Sequence, residues 1–328
     1  MRVKAWIGET SDKGATYRLG DVPTPDVRAG ELLVRVKATG LNRVDQRPKP
    51  SHFSHTDAAP AAIPGLEMAG EVVAIASDVS GFRIGERVMA MVQGGAAELA
   101  RIHHSLAIKI PSDVSWETAS AIPISYLTAY DAVVMRGHFH KGDHLLVHAV
   151  TSGVGIACAQ IGTIRGAASI GGSSSSADKL KAARTAGVTY GILDPAKSFA
   201  QTVMENTGGH GADVVIDNIG GSILNETIRS TAFSGRVIDV GRLGGTMANI
   251  DLDLLAVRRV SLIGVTFRTR SLAEHAEICE RFMSDHADDI QSGRLKPVIA
   301  QSFGFADLPQ AIECARAGKT LGKVVLTH

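Results

Sequence analysis

Cysteine is scarce in this 328-residue sequence: Cys158, Cys279 and Cys314 stand far apart and never form a Cys-x-x-Cys pair. Neither a disulfide framework nor a thiolate zinc site is signalled. Charge of one sign is also missing. Lys and Arg number 34 against 33 Asp and Glu, net +1, so nothing draws the chain to nucleic acid or to a membrane surface. No apolar run approaches the ~18 residues of a membrane span. Met1-Arg-Val-Lys-Ala-Trp6 enters an amphipathic strand directly, without the apolar core of a secretory signal. The sequence reads as that of a cytoplasmic protein. Aromatics are few, at 5%, whereas glycine reaches 35 residues and hydrophobic residues 45%. That balance fits a soluble α/β protein with many strand-to-helix turns, and the length suggests two domains.

What is present is concentrated at His144-Leu-Leu-Val-His-Ala-Val-Thr-Ser-Gly-Val-Gly-Ile-Ala-Cys-Ala-Gln160. An apolar strand, Leu145–Val150, runs into a turn of small residues, Thr151–Gly155, and then into a helix of small and apolar residues. Small residues let the backbone approach a diphosphate and pack a helix tightly on a strand. The helix N-terminus then points its N–H groups at the anion. Val150 and Ser152 occupy the first two glycine positions of the dinucleotide consensus. About 20 residues on, where binders of NAD place an acid for the ribose, the chain reads Gly171-Gly-Ser-Ser-Ser-Ser-Ala-Asp-Lys179. Hydroxyls at Ser174 and Ser175 with Lys179 close behind suit the extra phosphate of NADPH. A bland alternative for Lys179 is a solvated helix position.

The first ~115 residues are strand-rich and punctuated by Pro and Gly. Leu32-Leu-Val-Arg-Val-Lys-Ala38 and Glu71-Val-Val-Ala-Ile-Ala76 alternate as half-buried strands do. From Trp116 the texture becomes helix and then alternating strand and helix. Strands are predicted at Leu145–Val150, Ala167–Gly171, Ile192–Leu193, Val214–Ile216, Arg236–Val240 and Ser261–Phe267. Repeated βαβ units with continuous apolar strands indicate a doubly wound parallel sheet. A helix (Leu272–Met283), a strand (Val298–Phe303), a helix (Leu308–Ala317) and a strand (Lys323–Leu326) follow. They resume the style of the N-terminal part, giving domains at 1–117 with 268–328 and at 118–267.

Gly40-Leu-Asn-Arg-Val-Asp45, Pro64-Gly-Leu-Glu-Met-Ala-Gly-Glu-Val72, Gly85-Glu-Arg-Val88, Leu127-Thr-Ala-Tyr130, Ser152-Gly-Val-Gly155, Gly211-Ala-Asp-Val-Val-Ile-Asp217 and Gly322-Lys-Val-Val-Leu326 occur in that order. Together they resemble the medium-chain dehydrogenase/reductase superfamily, specifically its zinc-free quinone-oxidoreductase branch, over essentially the whole chain. The resemblance implies a GroES-like β-rich catalytic domain joined to a Rossmann domain. Zinc-dependent relatives carry Cys where Asn42 stands, His where Leu66 stands and Cys where Ile124 stands. Asn, Leu and Ile cannot supply the three ligands a catalytic zinc needs, so no metal is expected. Without a Lewis acid nothing acidifies a simple alcohol. The resemblance therefore implies hydride transfer from NADPH to an already polarised acceptor, a quinone or an α,β-unsaturated carbonyl, whose oxyanion needs only hydrogen-bond donors and a proton.

The implied catalytic residues are Asn42, Asp45, Arg47 and Tyr126. Asn42 would position the nicotinamide ribose or the substrate oxygen, and Thr128 would stack beside the nicotinamide. Ser152, Gly153, Val154, Gly155, Ser174, Ser175, Lys179, Asn218, Val240, Gly241, Leu243, Phe267, Arg268 and Lys323 complete the expected cofactor contacts. Arg268 and Arg270 equally fit caps of a domain junction, and Tyr126 and Tyr130 equally fit packing. One departure stands out: quinone reductases usually carry tyrosines where Arg47 and Phe53 stand. Arg47 offers a permanent charge for an oxyanion or an acidic substrate. The Pro- and His-rich insertion Pro48–Ala62 reads as a lid, with His52 and His55 either solvated or acting as acid or metal ligands. His138, His140, His144 and His148 read as structural. Two other functions stay open: reduction of enoyl, 2-alkenoic acid or acyl-thioester substrates, and NADPH sensing without turnover. The apolar run Ser261–Phe267, last in its sheet, is an edge that aggregates if left bare. Family members join two such edges, so a homodimer with a closed two-fold interface is expected.

Overall fold

The computed structural model describes residues 1–11, 14–46, 52–53, 55–56, 62–196, 198–318 and 320–328. By its contacts the chain forms two units, residues 1–127 with 267–328 and residues 128–266. The first boundary falls at Leu127 rather than at residue 117. The helices Trp116–Ser120 and Pro123–Tyr130 follow directly on one another, and the first packs on the strands Glu31–Leu41 and Glu67–Ile75 of the β-rich unit.

That β-rich unit is built on seven strands. Ile299–Gly304, Lys323–Thr327, Glu31–Leu41, Glu67–Ile75, Arg87–Met91 and Ile108–Lys109 lie in that order, and Leu99–His103 pairs with Glu31–Leu41. The alternation read from Leu32 on is visible in the packing: Leu32, Val34 and Val36 turn inward onto Met68, Val72 and Val88. Arg35, between them, is exposed. A separate hairpin joins Arg2–Ser11 to Gly14–Pro23.

The helix Leu272–Gln291 opens on a capping box, Ser271 Oγ accepting from Glu274 N while the Glu274 carboxylate accepts from Ser271 N. It outruns the expected end at Met283. Its last turns look polar in sequence, yet His286, Asp289 and Ile290 continue the buried stripe of His275, Ile278, Cys279 and Phe282. No helix among the described residues is long and apolar enough to cross a membrane.

The second unit is a parallel sheet of six strands in the order Tyr190–Leu193, Ser169–Ser174, His144–Val147, Ala212–Asp217, Thr231–Asp239 and Ser261–Gly264. The first strand in sequence lies third, so the order reverses between it and Ala212–Asp217, the arrangement that opens a ligand crevice at the carboxyl ends. Leu145, Leu146, Val147, Val215 and Ile216 are fully buried, as continuous apolar parallel strands require. Two strands are shorter than expected. His144–Val147 stops before Ala149, whose φ of 49° turns the chain. Ser261–Gly264 lies at the sheet edge, and Val265 and Phe267 beyond it are buried.

Candidate functional site

The strand-to-helix turn of the parallel unit is built around one close approach. His148 N donates to Ile216 O (2.9 Å) and Val150 N to Ser173 O (3.0 Å), fastening the turn to both neighbouring strands. Ser152 then caps the helix Gly153–Ile164, its hydroxyl accepting from Gly155 N (3.1 Å). A Cβ on Gly155 would stand 2.6 Å from Ala149 O and from Val150 Cα, so any larger residue would push the helix off the turn. The first-turn N–H groups of Gly153 and Val154 have no partner within the helix. A diphosphate fits there.

Beneath the turn lies a buried polar group that sequence reading left as structural. His148 is fully buried, with Nδ1 3.1 Å from Ser173 Oγ and Nε2 3.1 Å from Thr227 Oγ1. Burial holds its pKa below the usual imidazole range against the opposing pull of Asp217, so a neutral ring links the two hydroxyls. Asn218 Nδ2 donates to His148 O (2.9 Å). Asp217 Oδ1 accepts from Ile219 N and Gly220 N, and Asp217 O accepts from Val240 N and Gly241 N. Thus Asn218, Val240, Gly241 and Leu243 are gathered at the ends of adjacent strands, with Leu243 exposed. Thr128, also in this unit, is buried.

The serine run divides its work. Ser173 is committed to His148, and Ser174 Oγ, 3.4 Å from Thr151 Oγ1, accepts from Ser176 N. Ser176 caps the helix Ala177–Ala183 by accepting from Lys179 N, and Ser175 is exposed at the strand tip. No carboxylate occupies Gly171–Ser176, and the only acid between the tip and Lys179 is Asp178, in the first helical turn. The parallel unit therefore brings Ser152–Gly155, Ser174, Ser175 and Lys179 onto two neighbouring strands and the helices that follow them.

In the β-rich unit the structure assembles a second cluster. Lys323 Nζ donates to Glu67 Oε1 (2.5 Å) and to Asn42 Oδ1 (2.7 Å), while Asn42 Nδ2 donates to Glu67 Oε1 (2.9 Å). Ile124 N donates to Glu67 Oε2 (2.8 Å). Glu67 is fully buried and Lys323 5% exposed. The three positions where zinc-dependent relatives carry ligands thus hold an amide gripped by an ammonium (Asn42), an aliphatic side chain (Leu66) and a backbone donor to a carboxylate (Ile124). Lys323, expected on the cofactor, has its ammonium engaged within this cluster. Glu67 has no role in the sequence reading. Its only signal is an acid beside Leu66 in one of the motifs that carry the resemblance, with a partner 256 residues away.

Asp45 joins the cluster through the main chain. Its carboxylate accepts from Asn42 N and Gly65 N, both at 2.7 Å. Gly65 has a φ of +91°, and a Cβ there would meet Ala96 N at 2.7 Å. Burial raises the Asp45 pKa to about 6, against the lowering effect of its two backbone donors and of Lys323. The native protein therefore holds a proton on Asp45 between pH ~4 and ~6 that the unfolded chain has released. Stability should fall as pH rises through that window, by up to ~3 kcal/mol, and level off above it. Unfolding midpoints from pH 4 to 7 should show this slope, and Asp45→Asn should lack it. A slope unchanged in Asp45→Asn assigns it to another group.

Other expected residues fall differently. Tyr126, the candidate acid, is 1% exposed, and burial pushes its pKa up. Arg47 lies outside the described residues. Phe53 is buried, stacked on His55 (5.7 Å between centroids) and edge-on to His275 (5.4 Å). Phe267 packs edge-on to the same His275, whose Nε2 is 2.9 Å from Phe267 O. Arg268 is exposed.

Comparison with known proteins agrees with both halves. Residues 28–112 match the model of the alcohol dehydrogenase GroES-like domain and residues 153–282 that of the zinc-binding dehydrogenase. Quinone oxidoreductase-like protein 2 of Bos taurus is 29% identical over 99% of this chain and 97% of its own length. Its homolog in Nematostella vectensis is 30% identical over 96% of this chain and 84% of its own length. A mycobacterial protein solved with NADPH superposes with a TM-score of 0.85 at 28% identity, covering 100% of both chains. The chain belongs to the medium-chain dehydrogenase/reductase superfamily, in its quinone-oxidoreductase branch.

Proposed function

We propose that the protein is a cytoplasmic, NADPH-dependent reductase that delivers hydride, without zinc, to a quinone or an α,β-unsaturated carbonyl. The observation that carries this reading is the buried Asn42–Glu67–Lys323 cluster. It sets a buried ion pair and an amide where zinc-dependent relatives hold their metal ligands. NADPH, when bound, supplies the hydride. The turn Ser152–Gly155 receives its diphosphate, and Ser174, Ser175 and Lys179 receive the 2′-phosphate. Lys323 orients Asn42, leaving one lone pair on its amide oxygen for a ribose or substrate hydroxyl. Phe53 offers no phenol where relatives carry one, so the final proton comes from solvent or from a group outside this cluster.

Oxidation of NADPH in the presence of a chelator, with a panel of quinones, enones and 2-alkenoic acids, tests the proposal. Quinone or enone turnover at full rate, with less than one zinc per chain, is expected. Stoichiometric zinc whose removal abolishes activity overturns it, turnover of the alkenoic acids alone shifts the substrate class, and tight NADPH binding without turnover makes the protein a sensor.

We also propose a homodimer through the edge strand Ser261–Gly264. Leu262 on that strand, Met247 before the neighbouring helix Leu252–Arg258 and Leu252 and Val257 on it are all exposed, an apolar surface of the kind that marks an interface. Light scattering at micromolar concentration should give twice the chain mass, and Leu262→Lys should give monomers. A stable monomer for the unmodified protein rules the interface out.

A further inference from the structure

His148 is fully buried in the parallel unit, its ring 5.0 Å from that of Phe199 and nearly edge-on to it. An apolar side chain would fill that space without the cost of desolvating two ring nitrogens. What the imidazole adds is a hold on Ser173. Ser173 takes two consecutive N–H groups of the strand-to-helix turn: its hydroxyl oxygen accepts from Ala149 N (3.1 Å) and its carbonyl from Val150 N (3.0 Å). With the oxygen accepting there, the hydroxyl proton is left for His148 Nδ1 (3.1 Å). The ring proton then sits on Nε2, facing Thr227 Oγ1 (3.1 Å); the network assigns this tautomer. The grip on Ala149 has a conformational result. Its φ of 49° is a left-handed setting that a residue with a Cβ keeps only where its surroundings impose it. In that setting Ala149 O accepts from Ser152 N (3.0 Å), the cap of the helix Gly153–Ile164, and lies 2.6 Å from where a Cβ on Gly155 would stand. The rotation at Ala149 therefore fixes where the helix begins.

We propose that His148 is a positioning residue of the nucleotide site. Its Nδ1 fixes the Ser173 hydroxyl, which holds Ala149 in the left-handed setting and so aims the N–H groups of Gly153 and Val154 at the diphosphate. Its Nε2, on Thr227, anchors the ring and contributes to stability alone. The ring acts through Ser173 and not on the cofactor itself. This role rests on the reading of Ser152–Gly155 as a dinucleotide site, and its test separates the two.

The two ends of the ring can be removed one at a time. An asparagine amide oxygen stands in for Nδ1 as an acceptor, and a glutamine amide nitrogen stands in for Nε2 as a donor. NADPH and NADH are titrated onto the full chain and both variants. His148→Gln should weaken the two nucleotides alike by about 5- to 10-fold, the scale of one neutral hydrogen bond, because the diphosphate is common to both. His148→Asn should stay within about twofold of the parent, although it gives up Thr227. Both variants should lower the thermal unfolding midpoint. With a quinone acceptor, His148→Gln should raise the KM for NADPH by the same factor as its dissociation constant and hardly move kcat. Where the His148 variants do not fold, Ser173→Ala and Thr227→Val make the same comparison, the first losing affinity and the second keeping it. Affinity that falls equally in His148→Gln and His148→Asn, or in neither while both are destabilised, makes His148 a packing residue and overturns the positioning role with the nucleotide site intact. The titrations need no turnover, so the expected pattern without NADPH oxidation upholds the role and overturns the reductase reading. An unmodified protein that binds neither nucleotide overturns the site and this role with it.

Discussion

Lys323→Met will destabilise the protein by about 3–5 kcal/mol, the loss typical when one partner of a buried ion pair is removed. The carboxylate of Glu67 is fully buried, and of its three donors Lys323 is the charged one, beside Asn42 Nδ2 and Ile124 N. Burial magnifies what an unpaired charge costs. The double variant Lys323→Met with Glu67→Gln removes both charges and should recover most of the lost stability, because replacing a buried pair by neutral groups is far gentler than breaking it. Reduction should not recover with it, since neither the ammonium nor its grip on Asn42 returns. Guanidinium unfolding midpoints and NADPH-oxidation rates on the three proteins separate the effects. A single variant within ~1 kcal/mol of the parent, the range of an exposed pair, would place Lys323 outside the buried cluster.

Lys179→Ala should weaken NADPH binding by about 10- to 150-fold, the loss of one charge-assisted contact worth roughly 1.5–3 kcal/mol. NADH binding should hardly change. Lys179 stands in the first turn of the helix that Ser176 caps, directly after the strand end Ser174. Titrations of both nucleotides decide the matter. Equal losses for the two would mean that the lysine meets no 2′-phosphate.

The dinucleotide half was legible because its signals are local. Strand, turn, cap and helix from His144 to Ile164 lie within one stretch, and Gly155 is demanded by neighbours only five and six residues away. Strand ends were less legible. Val150 and Phe267 are as apolar as any strand residue, and it is the turn at Ala149 that stops the first of those strands. The catalytic half was legible only as types at motif positions. Asn42, Leu66 and Ile124 argue against zinc from the sequence alone. That Lys323 closes on Glu67 is a contact across most of the chain, and a single sequence carries no trace of such a pairing. The rings of Phe53, His55, Phe267 and His275 are likewise gathered from two distant segments.

The β-rich unit draws its strands from both ends of the chain, and this sets an order of events during synthesis. The strand Lys323–Thr327 pairs with residues 38–41 of Glu31–Leu41, so that side of the segment waits for its partner until residues 323–327 have been made. The parallel unit, by contrast, is one continuous stretch, 128–266, and can form while the earlier sheet still waits. Pairing across so long a stretch is slow to form, and an open edge is exposed to wrong partners meanwhile. A nascent chain stalled before residue 323 carries a finished nucleotide-binding sheet beside an unfinished one, with the carboxylate of Glu67 still waiting for its ammonium.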